Sequence, residues 1–137
     1  MTQGMNVRLA ATAFLALLAG GCANEKAVVY ADQAEVERVI SSSQQPVLMM
    51  FFKGGCASCA ALEPTFDQLA AEYQGRAVIG KFMILTLVFE LTSPELKDRY
   101  GVVFVPHVVL LVNGQEKQHW IMDQGGACGA PAGQGLR

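Results

Sequence analysis

The chain has 137 residues, 52% of them hydrophobic and 16% charged, with a formal net charge of −2. That suffices for one small domain with its own core. It argues against a nucleic-acid binder, which carries a strongly basic face, and neither a block of like charge nor a glycine-rich phosphate loop occurs.

In chain order, Arg8 precedes twelve uncharged residues, LAATAFLALLAG, from Leu9 to Gly20. As a helix they fall short of a bilayer core of about 30 Å, and they match the apolar region of a secretory signal. The run ends in LAGGC at Cys22. This resembles a bacterial lipobox, with Ala19 where leucine is preferred. The resemblance implies lipidation of Cys22, a mature chain starting there, and a place in the bacterial cell envelope, on the periplasmic or extracytoplasmic side, where thiols tend to oxidise. The other reading is an ordinary signal peptide cut nearby, with Cys22 incidental. Met5 offers a second start with a short basic lead. Residues 1–21 are therefore read as signal peptide and 22–31 as a tether that includes a candidate first strand.

Residues 32–124 read as the folded domain. Asp32 is an N-cap candidate, followed by Val36, Val39 and Ile40 at helical spacing, and the SSSQQP stretch closes that helix at Pro46. VLMMFF, 47–52, has no polar residue and predicts a central strand covered on both faces. Cys56 to Tyr73 predicts a helix with Leu62, Phe66, Leu69 and Tyr73 on one stripe, kinked at Pro64 and ended at Gly75. A second apolar run covers 77–89. Ser93 caps a short helix with Pro94 at its first position, which stops at Gly101. Residues 108–112 predict a strand, Asn113-Gly114 a tight hairpin turn, and QEKQHWIM the antiparallel return. The order β-α-β-α-β-α-β-β is that of an α/β layer fold with buried parallel strands and a terminal hairpin. The glycine-rich stretch 125–137 has no periodicity and is expected to be a disordered tail.

The chemistry concentrates in FFKGGCASCAALEP, at the end of the central strand. Gly54 and Gly55 turn the chain, and Cys56 opens a helix with Cys59 one turn further in. Free N–H groups and the positive dipole end of a helix stabilise a thiolate. A cysteine there has its pKa lowered from about 8.5 toward roughly 3.5–7.5. Cys56 is thus the candidate nucleophile. Cys59 is placed to attack a mixed disulfide formed at Cys56, as thiol–disulfide exchange requires.

Residues 46–122 resemble the thioredoxin superfamily. PVLMMFFKGGCASC aligns without gaps on that family's active-site strand and turn. Pro64 falls at its helix-kinking proline, Lys81 at a strand lysine beneath the active site, and Val105-Pro106 at its cis-proline. The resemblance implies a thioredoxin-like fold, with a central mixed sheet and flanking helices. It implies that Cys56 attacks and Cys59 resolves. It also implies that Pro106 shapes a groove, that the Val105 backbone pairs with an extended substrate peptide, and that Lys53 and Lys81 are supporting residues. No cofactor is needed, because the dithiol carries two electrons. The partners would be protein thiols or disulfides, a periplasmic or membrane thiol reductant, and the membrane through the lipid; no nucleic acid is implied.

The departures from the family are specific. Gly55 replaces a tryptophan, Ala57-Ser58 replaces Gly-Pro, and Met50 stands where a buried acid assists the resolving cysteine, leaving Lys81 without its usual partner. Glu63 is the nearest substitute in sequence. The segment from Lys81 to Ser93 is longer than usual. The family's last helix is missing, its place taken by the glycine-rich tail, which predicts an uncovered apolar face.

Two other functions compete. One is a binding module that keeps the fold without efficient turnover. The other is a metallochaperone using Cys56, Cys59 and His107; a zinc site needs two ligands beyond the pair, and His107, His119 and Cys128 are the soft candidates. His107 reads more simply as a strand residue at the rim. Met49, Met50, Met83 and Met122 read as core filler, Lys53 as a solvated lysine or a charge acting on Cys56, Trp120 as packing on the last strand, and Cys128 as an incidental thiol.

Overall fold

The computed structural model describes residues 25–121. The signal segment with Cys22, Met122 and the tail with Cys128 lie outside the described residues.

The elements are β1 (Val28–Tyr30), α1 (Gln33–Ser42), β2 (Val47–Lys53), α2 (Ala57–Glu72), β3 (Val78–Leu85), α3 (Pro94–Arg99), β4 (His107–Val112) and β5 (Gln115–Ile121). They form one five-stranded sheet in the order β1-β3-β2-β4-β5. β1, β3 and β2 run parallel, and β4 and β5 antiparallel to their neighbours. This is a thioredoxin-like mixed sheet. Among the described residues three helices flank it and none follows β5.

The local chemistry explains most boundaries. Asp32 caps α1, its carboxylate accepting the Glu35 N–H at 2.9 Å. Ser93 caps α3 in the same way, accepting from Leu96 N at 3.1 Å, and donates to Gln33 Oε1 at 2.8 Å, tying α3 to α1. Pro94 sits in the first turn of α3, where its missing N–H is no loss. Asn113 and Gly114 both have positive φ, the geometry of a two-residue hairpin turn that matches strand twist.

Alternation along the strands sorts side chains onto two faces. Val47, Met49 and Phe51 of β2, Phe82 and Ile84 of β3, and Val109 and Leu111 of β4 meet Val36 and Ile40 of α1 and Leu96 of α3. Phe51 stacks on Tyr100 at 5.6 Å between centroids and meets Phe82 edge-on at 6.4 Å. On the other face Met50, Ile79 and Val108 meet Phe66, Leu62 and Leu69 of α2, with Trp120 beside them.

The candidate first strand ahead of Asp32 is β1, which pairs with β3, and the buried Ala27 N–H beside it donates to Asp67 Oδ1 at 3.0 Å. Three expectations need correction. The second apolar run is not one strand. It stops at Leu85, and Leu87, Val88 and Phe89 are exposed at a turn closed by Thr86 and Glu90. Tyr73 does not join the α2 stripe; it is the exposed C-cap, with the Arg76 guanidinium over its ring. His107 is not at the rim: it is 1% exposed on the α1/α3 face, because β4 begins one residue earlier than the apolar run and its first side chain points at Phe51.

Candidate redox site at the end of strand β2

β2 is the middle strand, so its C-terminal end is flanked on both sides by backbone. Gly54 N–H donates to Leu85 O at 3.0 Å, which turns the chain off the sheet. Gly55 has φ +70, and a Cβ there would lie 2.7 Å from Leu87 Cδ2. No larger side chain fits that backbone and that neighbour together. Leu87 comes from the turn at 86–90, which thus lies against Gly54 and Gly55.

Cys56 is the N-cap of α2. Its sulfur accepts the Cys59 N–H at 3.2 Å and lies 3.3 Å from Ser58 Oγ. A sulfur so placed receives both an orphan backbone donor and the positive end of a 16-residue helix. Cys56 and Cys59 are joined by a disulfide, with Cα atoms 5.2 Å apart. Cys56 is half-buried and Cys59 is buried. An incoming thiol or disulfide therefore meets Cys56 first.

Pro106 follows a cis peptide bond from Val105 and is buried. Pairing of Phe51 with His107 places this bond at the same edge of the sheet as the Gly54–Cys56 turn. Val105 precedes the first paired residue of β4. Below Cys56, a cavity of about 390 Å³ is lined by Lys53, Cys56, Cys59, Glu63 and Met83 among others. Lys81 lies under α2, paired in register with the buried Met50, and its Nζ is 3.5 Å from Glu63 Oε1. The Lys53 ammonium sits over the Phe89 ring, 4.0 Å from its centre.

The structure thus brings the two cysteines together with Lys53, and Lys81 with Glu63. Among the described residues no three histidine, cysteine or acidic side chains converge as a metal would require, so His107 does not join the cysteine pair as a ligand set. His107 instead stacks on His119, with ring centres 5.5 Å apart, and neither of its nitrogens has a hydrogen-bond partner. Burial pushes its pKa below the usual value, and the neighbouring His119 adds to this; Glu116 and the Tyr100 backbone act weakly the other way. Its burial had no signal in the sequence, since the apolar run starts only at Val108. The place of Glu63 on the Cys59 face of α2 did have one, since Glu63 follows Cys59 by four residues, one helical turn.

Comparison with known proteins gives one family. A thioredoxin family model matches residues 27–126. Thioredoxin M5, chloroplastic, of Oryza sativa subsp. japonica is 32% identical over 91 residues, covering 66% of this chain and 49% of that protein. The thioredoxin of Haemophilus influenzae is 30% identical over 88 residues, covering 64% and 77%. Among solved structures, a single-site mutant of the thioredoxin from Halobacterium salinarum NRC-1 superposes with a TM-score of 0.58 at 27% identity, over 72% of this chain and 79% of that one. The chain spans about half the length of the first curated relatives it matches.

Proposed function

The chain belongs to the thioredoxin family, and from that premise we propose that it is a thiol–disulfide oxidoreductase acting on protein thiols and disulfides through Cys56 and Cys59. The observation that carries the reading is a half-buried sulfur at the N-cap of α2, bonded to a buried sulfur one turn in. In the reducing direction the Cys56 thiolate attacks a substrate disulfide. A mixed disulfide forms and one substrate sulfur leaves as thiolate. Cys59 then attacks Cys56 Sγ, the second substrate sulfur leaves, and the Cys56–Cys59 disulfide holds the two electrons' worth of oxidation. A thiol-bearing protein restores the dithiol.

Val105, with its backbone ahead of the first β4 pairing, would add an extended substrate segment to the sheet edge beside Pro106. The LAGGC sequence at Cys22 supports attachment by lipid to a bacterial membrane, with the domain on the extracytoplasmic side. Among the described residues no helix is long and apolar enough to cross a membrane.

The test is the reduction potential of the Cys56–Cys59 couple against glutathione or dithiothreitol buffers. A reversible two-electron couple is expected, near about −270 mV for a reductase and near about −120 mV for an oxidase. Cys56→Ser should abolish exchange, and Cys59→Ser should trap a substrate on Cys56. A folded sample with no reversible couple would leave the fold as a binding module, the reading favoured by a buried Met50 where an acid would serve the chemistry.

A further inference from the structure

Cys59 is 3% exposed and must lose a proton before it can resolve a mixed disulfide. A thiol in such surroundings parts with its proton reluctantly, because the thiolate forfeits hydration. Strand β2 offers no acceptor: the side chains of its buried stretch, Val47 to Phe51, are all apolar.

We propose that Glu63 accepts the Cys59 proton and that Lys81 holds its carboxylate in position. Glu63 lies four residues beyond Cys59 on α2. That spacing stacks the two side chains on one helix face, with β-carbons about 5–6 Å apart. Both residues line the same 390 Å³ cavity, and Glu63 is the only carboxylate among its lining residues. The other charged group there is Lys53, engaged over the Phe89 ring. Lys81 reaches Glu63 from beneath, its side chain 8% exposed against 49% for Glu63. The ammonium therefore fixes the inner edge of a carboxylate whose outer edge meets solvent. The carboxylate and the thiol border the same cavity, and the exposed edge of the carboxylate lets the proton leave.

In this step the Cys59 S–H proton passes to a Glu63 oxygen and the electron pair stays on sulfur. That sulfur attacks Cys56 Sγ, the Cys56–substrate bond breaks, and the pair leaves on the substrate sulfur. The proton reaches that sulfur or water.

The inference rests on the oxidoreductase reading, and the experiment separates the two. The full-length chain, carrying Cys22→Ser and Cys128→Ser so that only the pair reports, is reduced and mixed with 5,5′-dithiobis(2-nitrobenzoate). Attack by Cys56 releases one coloured thiolate in a concentration-dependent phase. Resolution by Cys59 releases the second in a concentration-independent phase. In Glu63→Gln the first phase should be unchanged, and the second should slow by about 10²-fold near neutral pH, the usual size of a general-base contribution. Its rate should also rise about tenfold per pH unit, because solvent hydroxide becomes the acceptor. Glu63→Asp should restore part of the rate and flatten the profile again. A Glu63→Gln second phase with parental rate and pH slope overturns the proposal, and so does an equal slowing of both phases. A parental chain with no second phase overturns the oxidoreductase reading, and this one with it.

Discussion

The two faces of the sheet are closed to different degrees. On one, α1 and α3 cover Val47, Met49, Phe51, Phe82, Ile84, Val109 and Leu111, and the two helices are joined by the Ser93–Gln33 hydrogen bond. On the other, α2 is the one helix among the described residues that covers the sheet. Beside it Leu48, Ile79, Leu110, Leu69 and Tyr73 line an open apolar groove of about 450 Å³. The open face also carries the chemistry: Cys59 and Lys81 are buried beneath α2, and Glu63 meets Lys81 at the edge of that helix. The covered face holds the apolar packing, with His107 its one buried imidazole. Stability and reactivity are thus separated across a single layer of backbone.

Substitutions can break that contrast. The largest effect is expected at Phe51, fully buried and held between Tyr100 and Phe82: Phe51→Ala should cost about 3–5 kcal/mol in denaturant unfolding. Next is Gly80, whose backbone lies against the covered face. A Cβ there would meet Tyr30 at 2.5 Å and Met49 Cε at 3.1 Å, so Gly80→Ala should cost about 1–3 kcal/mol through overpacking. His107 gives a pH effect. Its native pKa is lowered by burial, so the unfolded chain binds the extra proton. Stability is then complete above the unfolded value of about 6.5 and falls as pH drops below it, by up to about 1.4 kcal/mol per pH unit until the native pKa is reached. His107→Leu should remove that slope in unfolding curves taken at successive pH values below about 6.5. The smallest effect is expected at Leu110, half-buried in the open groove: Leu110→Ser should cost about 1 kcal/mol or less. A cost at Leu110 equal to that at Phe51 would mean that the groove is covered in solution, and the contrast would fail.

Much of this was legible in the sequence. The element order followed from short apolar runs, two cap residues and the Asn113-Gly114 turn, because each is a local device. The cysteine pair at a strand-to-helix join was legible for the same reason. The 77–89 run misled because hydrophobicity alone does not say where a strand stops. Leu87, Val88 and Phe89 are apolar yet exposed, 69–79%, since the segment packs on the Gly54-Gly55 turn through Leu87 and not on the core.

The sequence by itself determined the strand and helix periods, the helix caps and the redox-capable spacing of Cys56 and Cys59, since all depend on residues within one or two turns of each other. Tertiary structure decided which side chains meet across the sheet. It set Lys81 against Glu63, Leu87 against Gly55, and His107 into a pocket with no hydrogen-bond partner. Those pairings depend on strand order and register, which bring together residues far apart in the chain. Nothing local in the chain encodes such meetings, because they arise only when the whole layer has packed.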